Sequence, residues 1–179
     1  MSEGQLPAYV DTRRAFLQDA EASGSVALSR LPRLLEILVN DAAVIEAQLR
    51  FTLSKEGERQ ITGSITMTGE VPCQRCLEPV TVELAEQLSL VLVDSESAAA
   101  TLKPDWDPWV SEEYKLQLAD IVEEQLLLAL PSVNFHEDRQ CIENLGYEQA
   151  ELPVGEGAGG AGAGDNPFAV LKALKDDNG

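Results

Sequence analysis

Residues 61–71 and 80–92 alternate apolar and polar side chains with period two, and a short stretch bounded by two prolines separates them: Pro72-Cys73-Gln74-Arg75-Cys76-Leu77-Glu78-Pro79. Ile61, Ile65, Met67 and Val71 form the apolar set of the first segment, and Val80, Val82, Leu84, Leu88, Leu90 and Leu92 that of the second. Such alternation marks a half-buried strand, because successive side chains point to opposite faces of a sheet. Proline has no N–H to give a ladder, so each proline sits where pairing ends. A connection this short cannot hold a crossover helix, so the two strands must be antiparallel. The cysteines are then predicted at or near the tip of a hairpin.

The same period runs through Ile45, Ala47, Leu49, Phe51 and Leu53, with Lys55-Glu56-Gly57-Glu58 as the turn into the next strand. Residues 31–38 read as a short helix with Ser29 as its cap and Pro32 in its first turn, packing through Leu34, Leu35 and Leu38. In residues 118–130 the apolar positions 118, 121, 122, 126 and 129 follow the helical period; Asp120 and Glu123 have capping-box spacing, and Pro131 bounds the end. That helix is expected to cover the sheet. Residues 94–110, rich in acids and containing Trp106 and Trp109, read as a long acidic loop whose tryptophans either face a partner or lie over the core edge. The predicted fold class is α+β: an antiparallel sheet of three or more strands with a covering helix and a C-terminal tail.

Residues 153–164 are rich in Gly and Ala and lack apolar periodicity, the composition of a flexible linker. The chain therefore divides into an α+β domain over 1–152, a linker over 153–164 and a short amphipathic motif over 165–179. In that motif Asn166 and Pro167 open a helical pattern that sets Phe168, Leu171 and Leu174 on one face. A helix this short needs a surface to lie on, either its own domain or a partner.

Hydrophobic residues make up 44% of the chain and aromatic ones only 5%, so Leu, Val and Ile must supply the packing. Thirteen basic residues against 31 acidic ones leave a formal charge of -18. A surface this acidic repels phosphate backbones and anionic lipid heads and attracts basic proteins, besides keeping a protein soluble. The N-terminus has no basic start followed by an apolar run, and no stretch of about 18 apolar residues occurs, so the protein is expected in the cytoplasm.

Three cysteines and a single histidine fall into two groups, Cys73 with Cys76 and His136 with Cys141. An odd cysteine count in a reducing compartment argues against a disulfide framework. Three readings stand open. The four residues complete a closed Cys3His zinc site, structural because no coordination position is left for substrate. Alternatively, Cys73 and Cys76 form a redox pair, which calls for a helix start that Leu77-Glu78-Pro79 does not supply, or they are inert thiols in a buried turn. Catalytic constellations are missing: the tail glycines lack the Lys-Ser/Thr of a phosphate loop, the carboxylates are scattered, and His136 has no nucleophile in motif form. No enzymatic activity is expected.

Taken in order, Gly69-Glu70-Val71-Pro72-Cys73-Gln74-Arg75-Cys76, Leu126-Leu127-Leu128-Ala129-Leu130-Pro131, the His136/Cys141 segment and Asn166-Pro167-Phe168-Ala169-Val170-Leu171 resemble the YceD family. Other branches of that family carry a richer second cysteine cluster, where this chain has Cys141 with His136 nearby. The resemblance implies a bacterial or plastid protein required for accumulation of large-subunit ribosomal RNA, with the gene in bacteria commonly beside that of a small large-subunit ribosomal protein. It brings no enzymatic activity. With the acidic charge, the expectation is a non-enzymatic adaptor that holds a basic large-subunit ribosomal protein or an assembly or processing factor. The alternatives are an RNA-binding zinc protein that uses basic residues around Arg75, and a thiol oxidoreductase.

Overall fold

The computed structural model describes residues 4–138 and 140–142. The expected hairpin is its backbone. Strands β1 (Tyr9–Asp11), β2 (Glu21–Ser25), β3 (Val44–Leu53), β4 (Arg59–Pro72), β5 (Pro79–Val93), β6 (Asp107–Val110) and β7 (Lys115–Gln117) alternate with helices α1 (Thr12–Ala15), α2 (Pro32–Ile37), α3 (Glu96–Ala99) and α4 (Leu118–Ala129). Strands β4 and β5 pair without a bulge from Pro72↔Pro79 to Arg59↔Leu92, a ribbon about 45 Å long at ~3.3 Å per residue. The main sheet has the order β2-β3-β4-β5-β6, antiparallel through β5 and parallel between β5 and β6. Strands β1 and β7 make a separate antiparallel ribbon that leads directly into α4.

The alternation read from the sequence is the burial pattern observed, except that Leu53 at the end of β3 is 43% exposed and Val80, Val82 and Leu84 are only half-buried. Ile45, Ala47, Leu49, Phe51, Ile61, Ile65, Met67, Val71, Leu88, Leu90 and Leu92 are all buried on one face. Helix α4 lies across β4 and β5 and meets α2, closing the core with Leu118, Ile121, Val122 and Leu126. Phe16 meets Phe51 edge to face, ring centroids 5.7 Å apart, under the turn that follows α1. None of the helices among the described residues is long and apolar enough to cross a membrane.

Strand β2 is protected on its outer side: Ser25 N–H donates to the Gly4 carbonyl at 3.0 Å and Leu6 N–H to the Ser25 carbonyl at 2.8 Å. The first described residues thus cap that edge of the sheet. Gly24, at φ +151°, makes this possible, since a Cβ there would lie 2.2 Å from the Gly4 oxygen.

Four expectations are corrected. Residues 94–110 are not a loop throughout: they hold α3 and the parallel strand β6, and Trp109 packs against the core from that strand. Ser29 does not cap α2 but sits in a 3-10 turn, and the residue before the helix, Leu31, makes no side-chain cap bond. Asp120 and Glu123 form no capping box: α4 starts at Leu118, one turn too early for it, and Glu123 points across to α2. Leu34 and Leu38 are buried as expected, but Leu35 is 41% exposed, because so short a helix buries only one narrow stripe. The linker at 153–164 and the motif carrying Asn166, Pro167, Phe168, Leu171 and Leu174 lie outside the described residues.

Candidate metal centre

Both cysteines of the hairpin tip are buried, at 0% exposure for Cys73 and 3% for Cys76. A tight turn holds them: Cys73 N–H donates to the Glu78 carbonyl at 2.9 Å, and Leu77 N–H donates back to the Cys73 carbonyl at 2.8 Å. Leu77 closes the turn in the left-handed region, at φ 65°, with its side chain out in solvent. A branched residue adopts that conformation only where its surroundings enforce it.

The segment after α4 is stitched to this turn by the two residues between the cysteines. Gln74 N–H donates to the Asn134 carbonyl at 2.9 Å, and the Gln74 side-chain amide to the Ser132 carbonyl at 3.1 Å. Arg75 Nη2 donates to the carbonyl of His136 and, at 3.1 Å, to that of Asp138. Its guanidinium lies over the Phe135 ring, 4.8 Å from the centroid. Reading the sequence offered Arg75 as a basic residue for RNA; the structure turns it inward as the clamp of the site. The alternation of Gln and Arg between two cysteines carried no signal for this, because the carbonyls they meet are about 60 residues away along the chain.

That clamp brings His136 and Cys141 to the cysteine pair. One ligand atom from each of Cys73, Cys76, His136 and Cys141 lies within 4.8 Å of all the others. Around a tetrahedral zinc, with Zn–S of ~2.3 Å and Zn–N of ~2.0–2.1 Å, donor atoms sit roughly 3.5–3.8 Å apart, so the cluster needs little contraction to close on an ion. His136 is already oriented for it. Its Nε2 lies 3.0 Å from the Pro79 carbonyl, which can only accept, so Nε2 carries the proton. The lone pair on Nδ1 then faces the thiols, 3.3 Å from Cys76 Sγ. A carbonyl fixing the tautomer of a ligating histidine is the usual outer support of a metal site.

The thiols are electrostatically unequal. Burial pushes the Cys73 thiol up, but the backbone N–H groups of Cys76, Arg75 and His136 and the Cys76 side chain together outweigh it and hold Cys73 at about 5. Cys141 is raised to about 11 by burial and by the adjacent Cys76 and Cys73 groups, with Arg75 opposing. A bound ion would hold the cysteines as thiolates and release the protons they carry.

Fold and cluster together define an α+β protein whose long hairpin ends in a potential metal-binding knuckle. The family model of the large ribosomal RNA subunit accumulation protein YceD matches residues 61–175, a span that takes in both strands of the hairpin and all four cluster residues, and the chain belongs to the YceD family. The large ribosomal RNA subunit accumulation protein YceD of Haemophilus influenzae is 29% identical over 184 residues, covering 98% of this chain and 99% of that one. No solved structure matches the chain.

Proposed function

We propose that this protein serves ribosome biogenesis, supporting accumulation of large-subunit ribosomal RNA as a non-enzymatic acidic adaptor for a basic large-subunit ribosomal protein or an assembly factor. Family membership supports the process, and the disposition of charge supports the mode of action. Setting aside Arg139, Lys172 and Lys175, most of the 13 basic residues have partners within the fold. Arg13, Arg33, Arg50, Arg59 and Lys103 face carboxylates. Arg30 and Arg75 donate to backbone carbonyls, and Lys115 lies over Tyr9 and Tyr114. Only Arg14 and Lys55 lack such a contact among the described residues, too few cations to track a phosphate backbone. A surface of mostly unpaired carboxylates favours a cationic protein instead.

In this reading the cluster is structural. Cys73, Cys76, His136 and Cys141 would hold a zinc ion with all four positions filled, and the ion would supply a cross-link between the hairpin tip and residues 132–142. The chain's own part is to orient His136 through Pro79 and to gather the second pair of ligands through Gln74 and Arg75.

The test is affinity capture from a bacterial lysate with the full chain and with a chain ended at Gly164, at low and moderate salt. Recovery of a basic large-subunit ribosomal protein that weakens as salt rises supports the adaptor. A mobility shift of large-subunit RNA fragments by the pure protein at low salt, with no ribosomal protein captured, would replace the adaptor by direct RNA binding.

A further inference from the structure

Strand β5 is covered along one side by β4 over its whole length, but on its other side β6 reaches only Leu90 to Val93. No described strand pairs with the outer side of residues 81–89. Three hydrogen bonds identify the backbone groups that point that way. Cys73 N–H donates to the Glu78 carbonyl, which makes even-numbered residues of β5 the partners of β4. Accordingly the Pro79 carbonyl faces outward to His136, and the Val93 carbonyl faces outward to Ser111 N–H. By the alternation of an antiparallel ladder, Thr81, Glu83, Ala85 and Gln87 direct both N–H and C=O away from β4, and Ser89 its N–H, while the Ser89 carbonyl lies where the register Leu90↔Asp107 begins the pairing with β6. All five residues are exposed.

Natural sheets protect so long an edge with prolines, lysines, bulges or a covering segment. The opposite edge of this sheet has its cover in residues 4–6. On β5 no described segment covers the edge, the ladder with β4 has no bulge, Pro79 stands only at its start, and no Lys or Arg occurs between Arg75 and Lys103. The side chains along it suit a particular neighbour. Val80, Val82 and Leu84 pack against the core yet stay only half-buried, so an adjoining strand could cover them. Glu83, on the opposite face of the strand, and Glu86, beyond Leu84 on the same face, have no basic partner among the described residues.

We infer that the outer edge of β5, residues 81–89, is a docking site for an extended basic segment of a partner protein, which adds a strand to the sheet with apolar side chains over Val82 and Leu84 and cations on the opposite face beside Glu83. Main-chain hydrogen bonds supply the binding and the alternate side chains its selectivity. A second copy of this chain is a poorer occupant, because its own edge strand offers no Lys or Arg to set beside Glu83. The inference places the partner of the adaptor reading, and rests on that reading only for which basic protein supplies the segment.

The probe is a short synthetic peptide of alternating valine and lysine, titrated into the full-length protein and followed by fluorescence anisotropy and by amide hydrogen exchange. The peptide should bind, weaken with salt, and protect the amides of Thr81, Glu83, Ala85, Gln87 and Ser89, which exchange freely beforehand; those of Val82 and Leu84 are protected throughout. Ala85→Pro removes an outward N–H without touching the β4 ladder and should weaken binding about tenfold or more. Glu83→Lys keeps the backbone intact and should weaken it similarly, which covers the case in which the proline variant does not fold. Equal binding of an alternating valine–glutamate peptide, no alternating protection, or protection that depends on protein concentration as self-pairing would, overturns the edge as a basic-strand site. If the parent captures a basic ribosomal protein and the edge variants capture it equally, this inference fails and the adaptor reading stands. Peptide binding without any ribosomal capture leaves the edge site and removes the adaptor.

Discussion

Glu123, in the middle of α4, caps a helix to which it does not belong: its Oε1 accepts the backbone N–H of Arg33 at 2.8 Å and that of Leu34 at 3.2 Å, while Oε2 pairs with Arg33 Nε at 3.0 Å. The residue is 5% exposed, one of only two buried polar side chains among the described residues. Two amide donors at the start of α2 thus depend on a carboxylate about 90 residues away. Glu123→Ala leaves both unpaired in a buried setting and should destabilise the domain by about 2–4 kcal/mol. Urea unfolding checks this, and a loss within experimental scatter of zero would mean that water replaces the carboxylate.

Arg75→Lys keeps the charge but loses the planar fork that holds the carbonyls of His136 and Asp138 and stacks on Phe135. Because Arg75 supports the ligands and does not itself coordinate, the variant should still bind zinc, about 10–100-fold more weakly. Competition against a chromophoric chelator measures that ratio. An affinity equal to the parent's would assign the clamp to Gln74 alone.

Removal of metal should act locally. Chelation is expected to speed amide exchange over residues 73–78 and 132–138, leaving β3, the base of β4 and α4 protected, since their core contains none of the four ligands. Thiol alkylation should then reach Cys73, held near 5, before Cys141, raised to about 11. Mass mapping of alkylated peptides against time gives the order. Simultaneous labelling of both would contradict the electrostatic asymmetry.

Asp11 gives the fold a pH-dependent element. Its carboxylate accepts Arg13 N–H at 3.0 Å at the start of α1 and pairs with Arg13 Nη2 at 2.6 Å, and the hydrogen bond from the Arg13 side chain leads in lowering it from 3.8 to about 2. A depressed value means that the contribution is complete above 3.8 and fades as pH falls through about 2. Carboxyl chemical shifts followed down the acid range should place the Asp11 midpoint well below 3.8. In Arg13→Ala the midpoint should return to near 3.8.

Much of this architecture was legible because it is periodic. Residues 45–53, 61–71 and 80–92 each bury one face, and a period-two pattern states which face and, with short turns between, which neighbours. The 3- and 5-residue strands β1, β2 and β7 were not legible: Glu21–Ser25, with a glycine and two serines, has almost no apolar side chain to reveal it. Strand β6 was hidden likewise, since Asp-Pro-Trp-Val becomes a strand only beside the end of β5.

At the site, the sequence by itself determined the ligand types, their grouping as a close pair and a distant pair, and the position of the close pair between two antiparallel strands. Those properties are local or periodic, and they survive without knowledge of what packs where. Only the tertiary structure decided that His136 and Cys141 reach the cysteines, that Arg75 faces inward and that Glu123 caps α2. Each of these joins residues far apart along the chain, through hydrogen bonds whose second partner is a backbone group. Every residue carries the same backbone donor and acceptor, so no residue type marks which one will be met.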